Sequence, residues 1–227
     1  MAGKIAKLRV ENMTQIESLT DKQQEVFESW DSAFNLVLSG SAGTGKTFLA
    51  MHLALEAVLD KSTEFEKVVI VRSIVPTRDI GFLPGDETEK KEAYAGPYKS
   101  ICTEIFQDSD SWVKLTNFDT LEFMSTSFIR GMTLTNAIVI VDEMQNLNFH
   151  ELDSVITRVG QNCRFIMCGD YYQSDFDKER DKNGILQFMA IVERLKNFKV
   201  FEFSWEDIVR SDFVRDYIMT KEMMGIK

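Results

Sequence analysis

The octapeptide GSAGTGKT at residues 40–47 constrains the fold more than any other stretch of this chain. It fits the pattern G-x-x-x-x-G-K-[ST], and its flanks are those the pattern needs. FNLVLSG (34–40) reads as a strand entering the turn, and KTFLAMHLALEAVL (46–59) as a helix leaving it. Gly40, Gly43 and Gly45 let the backbone curl where a Cβ would clash. The main chain of Gly40, Ser41, Ala42, Gly43, Thr44, Gly45, Lys46, Thr47 and Phe48 then turns its N–H groups around phosphate oxygens, aided by the helix N-terminus. Lys46 is expected to reach the β- and γ-phosphates, and Thr47 to offer its hydroxyl to Mg2+.

Around this loop, short apolar runs alternate with helical patterns. KVVIVR (67–72), AIVIVDE (137–143), CRFIMCGD (163–170) and FKVFEF (198–203) read as strands. TDKQQEVFESW (20–30) reads as a helix capped by Thr20. Further helices are expected over 148–160, 184–197 and 204–224. Strands separated by helices predict an α/β fold, a mostly parallel sheet with helices on both faces. The segment 73–97 holds all three prolines and shows no clear period, so it reads as a long functional loop. The chain is expected to form one domain over 1–227, with about eighteen peripheral residues at its start.

In VIVDEMQN (139–146), Asp142 and Glu143 follow a buried-type strand without a break. Two adjacent carboxylates at such a place are costly unless a cation compensates them. Mg2+ bridging the β- and γ-phosphates is that cation, with Asp142 as its ligand. Glu143 is then placed to orient a water for attack on the γ-phosphate, which points to hydrolysis. The strand after it ends in CGDYYQ (168–173), and Gln173 is expected at the γ-phosphate or the attacking water. Asn148 and Glu151 read as a helix-capping pair.

The formal charge of −10 argues against a dedicated duplex-DNA binder, though a local basic groove remains open. Cys102, Cys163 and Cys168 show no paired spacing, and no secretion signal is apparent, so a reducing, cytoplasmic setting is expected. No apolar run approaches membrane-spanning length. His52 and His150 lack partner ligands in motif spacing and read as structural.

GSAGTGKTFLA, GFLPGD (81–86), RGMTLTNAIVIVDEMQN (130–146), TRVG (157–160), GDYYQSD (169–175) and DIVRSDFVRDYI (207–218) together resemble the PhoH-like family of P-loop ATPases over roughly residues 20–218. Ser41 departs from the family's usual Pro. The resemblance implies a RecA-like core related to superfamily-1 helicases, ATP as nucleotide and Mg2+ as metal. It also implies homo-oligomeric rings, with a hexamer favoured, and a link to RNA or single-stranded nucleic acid. The compact chain suits a phage-encoded member. By the helicase kinship, Gln23 reads the adenine edge, although Thr20 and Gln23 also form a capping box.

Two other readings stay open: a P-loop kinase of a small molecule, and a nucleotide-gated binding module with little turnover. An oligomer lends a neighbour's arginine to the transition state, with Arg210 favoured over Arg215 and Arg158; a surface pair with Glu206 is the alternative for Arg210. Arg78, Phe82, Lys90 and Lys91 are available for a nucleic-acid contact, in a loop that equally suits a subunit interface.

Overall fold

The computed structural model describes residues 6–73, 87–170 and 179–224, without the side chains of 87–91 and 179–183. The elements are α1 (Asp21–Asp31), β1 (Asn35–Gly40), α2 (Lys46–Leu59), β2 (Lys67–Arg72), α3 (Glu87–Phe106), α4 (Ser111–Asn117), β3 (Leu121–Ser125), α5 (Thr126–Ile129), β4 (Ala137–Val141), α6 (Phe149–Ile156), β5 (Cys163–Gly169), α7 (Glu179–Val192), β6 (Phe198–Phe203) and α8 (Asp212–Met223).

The six strands form one sheet in the order β3-β2-β4-β5-β1-β6, and every pairing is parallel. A parallel sheet covered on both faces needs strands that are apolar throughout. Alternate residues of one strand serve opposite cores. Leu36, Leu38, Val68, Ile70, Ile138, Ile140 and Ile166 pack with α2 and α3. Val37, Val69, Val71, Val139, Val141, Phe165 and Met167 pack with α6 and α7. The result is the RecA-like P-loop NTPase architecture expected, a sheet between two helical layers.

Several element readings need correction. The segment 73–97 is not loop throughout, because α3 begins at Glu87 and carries Gly96 and Pro97 within it. Its buried Tyr94, Tyr98, Cys102, Ile105 and Phe106 recur at helical spacing and pull the chain onto the sheet. Between it and β4 the chain forms α4, β3 and α5, elements that no clear sequence period marks. The helix expected over 204–224 is split: a 3-10 turn at Trp205–Asp207, extended chain, then α8 from Asp212. The chain stays extended there because the Val209 N–H donates to the Gly43 carbonyl at 3.1 Å. Arg210 and Arg215 therefore do not share one helix. The N-terminal segment is stitched to the core: Thr14 N–H donates to Ile105 O at 2.7 Å, and Leu8, Met13 and Ile16 pack against the apolar core.

Candidate functional site at the carboxyl edge of the sheet

Because every strand runs the same way, all six carboxyl ends lie at one edge, and ligands of open α/β sheets bind at that edge. Gly40 ends β1 in register with Phe203 of β6. It has φ +119, and a Cβ there would lie 2.0 Å from the Phe203 carbonyl oxygen, so only glycine fits. The loop that follows turns through Gly43 (φ +78) and Gly45 (φ +82) into α2. Lys46 Nζ donates to the carbonyls of Gly40 and Ser41, each at 2.7 Å, and to Thr44 Oγ1 at 3.3 Å. Burial lowers the Lys46 pKa, against the opposing pull of Cys168, Asp170, Glu143 and Asp142. Ala42 is exposed, Thr44 is buried, and Phe48 packs toward the core beside His52.

Two strands away, β4 delivers Asp142. Its N–H donates to Val71 O at 3.0 Å, which extends the β2–β4 ladder by one residue. The Asp142 side chain is buried, 4% exposed. Its Oδ1 accepts from Thr47 Oγ1 at 3.0 Å, across 95 residues of sequence. Its Oδ2 accepts from the hydroxyl of fully buried Tyr98 at 2.7 Å. Burial, with Asp142 adding to it, holds the Tyr98 phenol well above its ordinary range. Arg72, the last residue of β2, interacts with the same hydroxyl and lies 5.7 Å from the Tyr94 ring centre. Burial works against the Arg72 charge, but Tyr98, Glu143 and Asp142 outweigh it, so the guanidinium pKa is raised.

Glu143 sits in the left-handed region at φ 51, ψ 45. Gln145 Nε2 donates to Glu143 Oε2 at 2.6 Å, while Gln145 Oε1 accepts the Asp170 N–H at 3.1 Å. One amide thus ties the tips of β4 and β5 together. Burial raises the Glu143 pKa, with Asp142 adding to it and Arg72, Gln145 and Lys46 opposing.

The structure thus brings Lys46, Thr47, Asp142 and Glu143 to one edge. Gln173, Arg78 and Phe82 lie outside the described residues, as do the side chains of Lys90 and Lys91. Gln23 is buried and its amide is committed at both ends: Oε1 accepts from Leu19 N–H at 2.8 Å, and Nε2 donates to Thr44 O at 3.4 Å. Each bond uses one N–H or one lone pair, which leaves the amide a second of each. The Gln23 backbone N–H donates to Thr20 Oγ1, one half of the expected capping box, while its side chain accepts from the Leu19 N–H and not that of Thr20. Arg210 packs against its own chain's loop, with Cγ 3.0 Å from where a Gly43 Cβ would stand. The Ser41 hydroxyl donates to Glu222 of α8 at 3.3 Å.

Arg72, Tyr98 and Gln145 are polar residues that sequence reasoning did not assign. Arg72 carried a signal, a charge ending an apolar strand as Asp142 does. Tyr98 carried none, because only the packing of α3 brings it to Asp142.

The model of the PhoH-like protein family matches residues 15–221. The chain belongs to the PhoH-like family. A PhoH-like protein of Synechocystis sp. is 33% identical over 184 residues, which is 81% of this chain and 55% of the relative. Protein PhoH2 of Bacillus subtilis is 33% identical over 165 residues, 71% of this chain and 37% of the relative. This PhoH-like chain therefore spans about half, or less, of the length of these relatives. In fold it is similar to the large terminase of a thermophilic bacteriophage solved in complex with ADP, with a TM-score of 0.53 at 14% identity over 90% of this chain and 50% of that one.

Proposed function

We propose that this PhoH-like chain binds ATP with Mg2+ and hydrolyses it, in an oligomeric ring that acts on RNA or single-stranded nucleic acid. The observation that carries the Mg·ATP reading is the 3.0 Å bond between Thr47 and Asp142, and Glu143 beside it points that site to hydrolysis. It joins the phosphate loop to the acidic strand end and sets two hard oxygen ligands side by side. That pair, with phosphate oxygens and waters, suits Mg2+, which seldom takes an all-protein cage. Among the described residues no cluster of three or more His, Cys, Asp or Glu offers a different metal site. When bound, the ion would neutralise charge on the β- and γ-phosphates.

The protein's own part follows from the geometry. Lys46 exchanges its bonds to loop carbonyls for phosphate oxygens. Glu143, held by Gln145, takes the proton of the attacking water, and burial makes it a stronger base than an exposed carboxylate. Gln173 senses the γ-phosphate, and Gln23 supports the loop at Thr44. Arg210, whose Cγ lies beside Gly43 of the loop, is the arginine an oligomer would lend to a neighbour's transition state.

The test is phosphate release from Mg·ATP with no acceptor present, repeated with RNA, single-stranded DNA and duplex DNA. Free phosphate is expected, stimulated by single strands. Lys46→Ala should lose most ATP affinity and all turnover. Phosphate appearing only on an added small-molecule acceptor would make the protein a kinase. ATP binding with background turnover would make it a nucleotide-gated binding module.

A further inference from the structure

Asp142 is gripped at both oxygens, and only one grip belongs to the phosphate loop. The other comes from Tyr98, which lies in the middle of α3, 44 residues earlier in the chain. Tyr98 is fully buried, and its ring stacks at a tilt on Phe123 of β3, centres 5.5 Å apart. A hydroxyl has one proton to give. Here it goes to Asp142 Oδ2, while the Arg72 guanidinium donates to the Tyr98 hydroxyl oxygen. The series Arg72, Tyr98, Asp142, Thr47 thus crosses from the tip of β2, through α3, to the tip of β4 and the start of α2. It leaves the Asp142 carboxylate little freedom to rotate. Tyr98 cannot follow a shift in Asp142 without moving α3, because its ring is enclosed on every side.

We propose that Tyr98 is a positioning residue for Asp142, and that through this hydroxyl α3 is mechanically coupled to the metal-bound state of the nucleotide site. The proposal rests on the reading of Thr47 and Asp142 as the Mg2+ ligands. Groups that orient a ligating side chain typically set metal affinity by 10- to 100-fold.

The experiment measures ATP affinity by calorimetry in Mg2+ and in EDTA, for the wild-type chain, Asp142→Asn and Tyr98→Phe. Tyr98→Phe keeps the ring and removes only the donor. Its affinity in EDTA should match wild type, while its half-saturating Mg2+ rises about tenfold or more. Asp142→Asn should lose the Mg2+-dependent gain altogether. If Asp142→Asn keeps that gain, or wild type has none, the metal assignment is wrong and the proposal falls with it. If Asp142→Asn loses the gain and Tyr98→Phe keeps the wild-type Mg2+ midpoint, the metal assignment stands and the role of Tyr98 is refuted. Hydrogen exchange on the wild-type chain gives a second reading that needs no variant to fold. Mg·ATP should slow exchange in α3 around Tyr98, and ATP in EDTA should not. Equal protection of α3 in both would overturn the coupling.

Discussion

Burial and Asp142 both penalise the charge on Glu143, so the native protein holds that proton more tightly than the unfolded chain does. The stability cost is absent below the ordinary carboxylate range. It grows as pH rises and is complete above the raised native pKa. Glu143→Gln removes that cost and the base together. The variant should melt higher than wild type at pH 7 without ligand, with the gap closing toward pH 4, as thermal scans would show. Its hydrolysis should fall about a hundredfold or more while Mg·ATP binding persists. A variant that turns over normally would move the water-orienting role to Gln173. Gly40 makes a sharper steric case. Its missing Cβ space is filled by a backbone carbonyl of β6, which cannot rotate away. Gly40→Ala should cost about 3 kcal/mol or more. At 2–4 °C per kcal/mol for a chain of this size, the melting temperature should fall by roughly 6–12 °C.

At the scale of elements, α8 is the part whose role the structure redraws. None of its residues is buried, yet Ile218 reaches toward Gly43 and Glu222 accepts from both Ser41 and Trp205. The Ser41 hydroxyl thereby ties the phosphate loop to this helix. Arg210, in the extended chain just before α8, faces the loop of its own molecule. Arg210→Ala should slow hydrolysis by about 10³. If Arg210 is lent to a neighbouring site, mixing Arg210→Ala with Lys46→Ala subunits should restore activity, and mixed oligomers that form without recovery would overturn that role. Recovered activity in mixed oligomers would show that the arginine crosses an interface. The same scale shows what the sequence made legible. β2 was readable to the residue because a doubly covered parallel strand announces itself as a nearly unbroken apolar run, whereas the edge strand β6 was readable although Lys199 and Glu202 interrupt its apolar residues. α2 was equally plain from its helix formers. α3 was hidden behind Gly96 and Pro97, which read as turn signals although buried Tyr98, Cys102 and Ile105 keep helical spacing. The site divided in the same way. Lys46, Thr47, Asp142 and Glu143 stand in contiguous motifs. Tyr98 and Gln145 act through contacts made only when distant segments meet.

Across the whole molecule, β1 is the strand on which the phosphate loop is mounted, and its sheet neighbours are β5 and β6. Leu36 aligns with Ile166, and Gly40 with Phe203. A chain ending at residue 197 would lack β6, the Val209 bond to Gly43 and the Glu222 bond to Ser41. Such a truncation should lose ATP binding in a fluorescence titration, although residues 40–47 are intact. Retained binding would show that the loop is shaped by β5 and α2 alone. The pairing also sets an order in time. During synthesis at about 5–20 residues per second, the roughly 160 residues between the two halves of the β1–β6 pair take about ten to thirty seconds to emerge. Throughout that interval the nascent chain carries a complete phosphate-loop motif without β6 beside it. The ribosome therefore displays the most recognisable part of this protein long before that part can work, and a holdase able to shelter apolar β1 and α2 has its longest opportunity there.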